Sequence, residues 1–190
     1  MTLDGILPFA RLLLEKAVSP GCFAVDATAG NGHDTLFLAN LIGESGHVFA
    51  FDVQEQALKK TGERLKQENV ANRVTLFQSG HEKAKNLIPA EHHGQLTAAV
   101  FNLGYLPKSD KTIVTKPETT IQAVRDLFDM LRPGGLIVLV IYHGHEEGAL
   151  ERDAVVSFAE SLDQQLAHVM RYEFINQANN PPFIIAIEKR

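Results

Sequence analysis

One cysteine, three methionines and no tryptophan stand among the 190 residues, and no apolar run reaches the length of a membrane span. A lone cysteine, Cys22, excludes an internal disulfide and a cysteine-based zinc site, and no metal is expected. A transmembrane helix needs about 18 or more consecutive apolar residues, so no membrane association is expected. The N-terminal stretch MTLDGILPFARLLLEKAV is apolar in part, but it carries Asp4 early and has no basic leader. It reads as an amphipathic helix rather than a signal peptide, and the expected compartment is the cytoplasm. Positive charge is also in short supply: 18 Lys and Arg against 23 Asp and Glu leave a net charge of -5 and a pI near 5.9. Such a balance argues against a protein that coats nucleic acid with its whole surface, though not against a local basic patch.

What remains is an ordinary globular composition, 45% hydrophobic and 22% charged. The length suits a single domain, residues 1–190, burying roughly 70% of the surface its unfolded chain exposes. Short β-branched or aromatic runs recur: CFAVDA, HVFAFD, RVTLFQ, TAAVFN, and LIVLVIY after Pro133-Gly134-Gly135. Helical patterns fall between them at about 33–41, 55–68, 82–88 and 118–131. This alternation predicts βαβ units and a parallel sheet, and the nearly continuous apolarity of the strands predicts helices on both faces.

The segment VDATAGNGHDT, residues 25–35, runs from a strand end through a glycine-containing turn into a helix. Gly30 and Gly32 allow a sharp turn and close approach of backbone to a ligand, as a nucleotide cofactor loop requires. Asp52 closes the next apolar run, where a carboxylate accepts hydrogen bonds from two ribose hydroxyls. That combination also partly fits a dinucleotide motif, but Thr35 stands at the third glycine position. Towards the C-terminus, a helix expected over 148–166 is followed by MRYEFINQ and PFIIAIEK, separated by Ala178-Asn179-Asn180-Pro181. A hairpin there completes an α/β fold with a seven-stranded, mostly parallel sheet carrying one antiparallel strand. Dinucleotide-binding folds usually lack that strand.

The Rossmann-like class I S-adenosylmethionine (SAM) methyltransferases have it, and their motifs match in order: DATAGNG at 26–32, FDVQ at 51–54 and FNLGYLP at 101–107. More narrowly, DATAGNGHDT, FNLGYLPKSDK, YHGHEEG and FINQANNPPFIIAIEK resemble the bacterial family long labelled "putative rRNA methylase" over nearly the whole chain. The resemblance implies SAM as cofactor and, as substrate, the 5-aminomethyl group on the wobble uridine of certain tRNAs, hence a partner in the tRNA anticodon region. Gly30 to Gly32 then hold the methionine part of SAM, its ammonium meeting backbone carbonyls or Asp26, with Asn31 or Asp34 assisting. Asp52 binds the ribose with Gln54 beside it, and Ser79 and His81 lie where the fold meets the adenine. Asp34 as a helix N-cap, and Ser79 and His81 as caps of the next helix, remain alternatives.

Asn102-Leu103-Gly104-Tyr105 resembles the Asn-Pro-Pro-Tyr element of amino methyltransferases, departing from it at both prolines. An attacking nitrogen must aim its lone pair at the methyl group, so acceptors have to hold its hydrogens; the Asn102 side-chain oxygen and Leu103 carbonyl suit that need. Tyr105 suits stacking on a uracil ring. An alkylamine, with a pKa of about 10.4 like lysine, must also lose a proton before attack. Tyr142-His143-Gly144-His145, ending the fifth strand, offers two imidazoles for that. Lys108, Lys111 and Lys116 follow the expected catalytic strand end and suit phosphate contacts, while Asn176 in the hairpin suits a base contact. A homodimer is left open. Competing readings are methylation of another RNA such as rRNA, or of a small amine; an NAD-dependent oxidoreductase; and a non-catalytic SAM- or RNA-binding module.

Overall fold

Successive side chains of a strand point to opposite faces of a sheet, and here both sets are apolar. In a computed structural model describing residues 2–104, 115–144 and 146–190, this pattern yields two cores on either side of one sheet. Phe49, Phe51, Phe101, Leu139 and Ile185 face one side, and Val48, Val100, Val138, Val140 and Ile184 the other.

The chain runs α1 (Ile6–Ala17), β1 (Phe23–Asp26), α2 (His33–Ile42), β2 (His47–Asp52), α3 (Glu55–Gln67), β3 (Val74–Gln78), a short α4 (Ala84–Leu87), β4 (Leu96–Leu103), α5 (Pro117–Met130), β5 (Leu131–Ile141), α6 (Glu146–Glu160), β6 (Ala167–Tyr172) and β7 (Phe183–Lys189). The strand order is β3-β2-β1-β4-β5-β7-β6, with β7 antiparallel to both neighbours and the remaining strands parallel. Helices α1, α2 and α3 cover one face through Leu14, Leu38 and Leu65, while α5 and α6 cover the other through Leu127 and Val155. No helix among the described residues is long and apolar enough to cross a membrane.

The expected seven-stranded sheet is present, with its last hairpin shifted. Helix α6 ends at Glu160, and β6 occupies Ala167–Tyr172 rather than 170–177, so residues 173–182 form a longer connection than a tight turn. In the sheet, β1 and β4 are adjacent although β2 and β3 intervene in the chain. This reversal opens a crevice at the carboxyl ends of the strands, where α/β folds hold their ligands.

Candidate functional site

The crevice is built on the loop that leaves β1. Asp26 at the strand end is fully buried, its Oδ1 accepting the Thr28 N–H (3.1 Å) and its Oδ2 the Thr35 hydroxyl (2.6 Å). Both bonds shape the loop from below, and Asp26, with no exposed surface, lines neither of the cavities above the loop. Of the two partners expected for the cofactor's ammonium, backbone carbonyls or Asp26, the carboxylate is the one the fold places beneath the loop. Burial, reinforced by the Asp34 charge, pushes its carboxyl up to about 7 despite the hydrogen bonds from Thr35 and Thr28. A carboxyl raised above its unfolded value of about 3.9 contributes stability that is full below that value and lost as pH rises through about 7. Relative to Asp26→Asn, the native protein should therefore lose about 2–3 kcal/mol of stability between pH 5 and pH 9. Denaturation at the two pH values measures it, and parallel pH profiles would refute it.

Gly32 precedes α2 with φ +77, a left-handed conformation that favours glycine, and a Cβ there would lie 2.8 Å from Thr61 Oγ1. Helix α3 can press this close because the residue is glycine, and it fastens the loop: Thr61 donates to the Gly30 carbonyl (3.1 Å) and Arg64 Nε to that of Asn31 (2.9 Å). Asp52, at the end of β2, ties the same loop from its other side. Its Oδ2 accepts the Gly30 N–H (2.8 Å) and its Oδ1 the Gln54 N–H (2.8 Å). A carboxylate offers about four lone-pair positions, so each oxygen keeps one for a ligand hydroxyl. No side chain caps α2, which leaves its first turn as a positive terminus on the crevice beside Asn31 and Asp34.

Two cavities meet over this loop. One, of about 370 Å³, is lined by Asp52, Val53, Gln54, Ser79 and His81, and it gathers the residues expected around the ribose and adenine. His81 is only 7% exposed; its Nδ1–H donates to the Ala27 carbonyl (3.1 Å), and burial holds its pKa below the usual histidine range. It is a brace for the first loop as well as a wall. The other cavity, of about 610 Å³, is lined by Gly30, Asp34, Asn102, Tyr142, His143 and Asn180 among others. Thr28, Gly30, Asn102 and Gly104 line both.

Asn102 therefore stands on the wall between the two spaces. Its N–H donates to Thr28 Oγ1 (2.7 Å) and its side-chain Nδ2 to Asp34 Oδ2 (2.8 Å). Asp34 is thus no N-cap of α2, a place taken by Gly32. The Leu103 carbonyl already accepts the Tyr142 N–H (3.0 Å), which leaves it one further lone pair. The Gly104 N–H donates to Thr115 Oγ1 (3.1 Å), and Thr115 and Thr120 donate in turn to the buried Glu151 of α6, anchoring this strand end.

Other expected residues are placed differently. His143 donates from Nε2 to the Pro181 carbonyl (3.0 Å) and receives Arg152 Nη1 at Nδ1 (3.4 Å), because a carbonyl can only accept and a guanidinium only donate. Nε2 thus holds the 173–182 connection and Nδ1 faces Arg152 of α6, so neither ring nitrogen keeps a lone pair for the expected proton-accepting role. Asn176 is exposed and lines neither cavity; Asn180 of the same connection takes that position. Asn179 and Asn180 both have left-handed backbones (φ 66 and 49), which asparagine tolerates better than most residues. Tyr142 is 37% exposed at the cavity, its phenol raised by burial and then by the Asp34 charge, so it keeps its proton at neutral pH. Tyr105, Lys108, Lys111 and His145 lie outside the described residues. Lys116 of the lysine-bearing loop lines the smaller cavity, while sequence reasoning missed Thr119 there and Leu7 and Arg11 of α1 at the larger cavity. No group of three metal-ligating side chains occurs among the described residues.

Comparison with known proteins agrees with this architecture. The family described as "Putative rRNA methylase" matches residues 48–188. A chloroplastic tRNA (mnm(5)s(2)U34)-methyltransferase of Arabidopsis thaliana is 32% identical over 95% of this chain and 68% of its own length. Among solved structures, a "putative rRNA-methylase" from Clostridium thermocellum superposes over the whole of both chains with a TM-score of 0.96 at 43% identity. A "putative methyltransferase" from Streptococcus mutans, in complex with SAH, does so over 99% of both chains with a TM-score of 0.89 at 39% identity. These relatives are named as methyltransferases or methylases and not as oxidoreductases, and the two solved structures align over at least 99% of this chain. The chain belongs to the "Putative rRNA methylase" family and is a Rossmann-like methyltransferase.

Proposed function

We propose that this methyltransferase transfers a methyl group from SAM to the primary amine of 5-aminomethyluridine at the tRNA wobble position, giving 5-methylaminomethyluridine. The observation that carries the reading is Asn102, an amide acceptor on the wall shared by a nucleoside-sized cavity and a larger one. The name of the Arabidopsis relative supports the tRNA substrate, and the SAH complex of the Streptococcus relative supports the cofactor.

S-adenosylmethionine is the cofactor, and the residues fit it: Asp52 with two spare lone-pair positions for the ribose, and the uncapped first turn of α2 for the carboxylate. When bound, it supplies a methyl group on a positively charged sulfur. The chain's part is to hold the amine. Once the ammonium has given its third proton to solvent in the open crevice, Asn102 Oδ1 and the remaining lone pair of the Leu103 carbonyl would take the amine's two hydrogens, leaving its lone pair free to form the nitrogen–carbon bond as the carbon–sulfur bond breaks. Asp34 and Tyr142 line the space the amine enters. Cys22, buried before β1, is remote from the strand ends, so transfer is direct and uses no cysteine adduct.

The test is mass spectrometry of nucleosides after incubation with SAM and either tRNA carrying 5-aminomethyluridine or ribosomal RNA. Conversion of the aminomethyl nucleoside to its methylamino form is expected in the tRNA sample. Methylation of ribosomal RNA alone would overturn the proposal in favour of an rRNA substrate.

A further inference from the structure

We infer that Asp34 is a positioning residue for the methyl transfer and not part of the cofactor's binding set: its carboxylate decides which end of the Asn102 amide faces the amine. The inference rests on the reading of Asn102 as the acceptor of the amine's hydrogens. An asparagine amide has two ends of equal size and opposite hydrogen-bonding sense, and a carbonyl facing the cavity holds an N–H whereas an NH₂ repels one. The carboxylate of Asp34 carries acceptors alone. It receives Asn102 Nδ2 at 2.8 Å, and the geometry of the amide then turns Oδ1 away from Asp34, where no donor among the described residues takes it.

Both partners are held. The backbone of Asn102 is fixed by its N–H bond to Thr28 Oγ1 at 2.7 Å. The other oxygen of Asp34 faces Arg11 Nη2 at 3.7 Å, across from α1, and the carboxylate lies in the first turn of α2 where a negative charge is favoured. Thr28 and Asp34 both belong to the loop and helix start that cradle the cofactor side. The segment built for the methyl donor therefore also aims the group that holds the methyl acceptor, across 68 positions of chain.

Asp34→Asn preserves size but removes this discrimination, because the substituted amide can donate to Oδ1 of Asn102 as readily as accept from Nδ2. It should lower kcat on tRNA carrying 5-aminomethyluridine by about 10- to 30-fold while the SAM dissociation constant, measured by calorimetry, changes less than about 2-fold. In an Asn102→Ala background the same substitution should cause no further loss, since contacting residues couple in double-mutant cycles. The ¹⁵N-attached side-chain protons of Asn102, identified by their loss in Asn102→Ala, should exchange slowly with solvent in the native protein and faster in Asp34→Asn. A loss of SAM affinity matching the loss of turnover would assign Asp34 to the cofactor. Equal losses in the two backgrounds, or unchanged amide exchange, would overturn the inference. A native protein inactive on this tRNA would count against the proposed function alone, because amide exchange and SAM affinity still decide whether Asp34 orients Asn102.

Discussion

Asn102→Ala is expected to lower kcat by about 10²- to 10³-fold, the range seen when one preorganised polar contact to a reacting group is removed. SAM affinity should stay within about 2-fold of the native value. The separation follows from where the residue sits. Its bond to the turn after β1 runs through the backbone N–H to Thr28 Oγ1, which alanine keeps; its side chain bonds Asp34 in the first turn of α2 and stands on the wall between the two cavities. A strand-end alanine leaves the pairing with Val140 untouched, so folding is preserved. Single-turnover measurement with saturating SAM isolates the transfer step, and calorimetry supplies the affinity. Turnover within threefold of native, on the order of 0.7 kcal/mol, would remove Asn102 from the chemistry.

The residues legible beforehand are those at the carboxyl ends of parallel strands. Asp26, Asp52 and Asn102 close three strongly apolar runs, and right-handed crossovers between such runs bring their ends together whatever the details of the helices. The displaced strand β6 has a physical cause in its position at the sheet edge, where four of its six residues are exposed and hydrophobicity does not mark it. Ile175, which drew the expected strand towards 170–177, is 90% exposed in the connection that follows. Contacts between distant segments left no trace in spacing at all: Asn180 reaches the cavity because His143 grips Pro181, 38 positions away. Asp26 and Asp34 show the same limit, since two acidic residues of one loop look interchangeable in sequence. Burial sets one beneath the loop and a single amide draws the other to the acceptor side.

For Asp52 the two available substitutions should be almost equally severe, and this separates a ribose contact alone from the tie seen here. Asp52→Ala removes the acceptors for the Gly30 and Gln54 N–H groups as well as the two lone-pair positions left for the ribose. Hydrogen bonds to a charged group are worth about 1.5–3 kcal/mol each, so SAM affinity should fall by at least about 100-fold. Asp52→Asn restores an oxygen for one backbone N–H but sets an NH₂ against the other, donor facing donor, at one of two contacts of 2.8 Å. Either Gly30 or Gln54 must move, and with Gly30 goes the turn that α3 clamps through Thr61. A residue that only bound ribose would lose much less on this change, because an amide can both donate to and accept from a hydroxyl. Calorimetric titration with SAM should therefore place Asp52→Asn within about threefold of Asp52→Ala, roughly 0.7 kcal/mol apart. If Asp52→Asn instead bound SAM nearly as tightly as the native protein, the joint between the first loop and β2 would have no part in holding the cofactor.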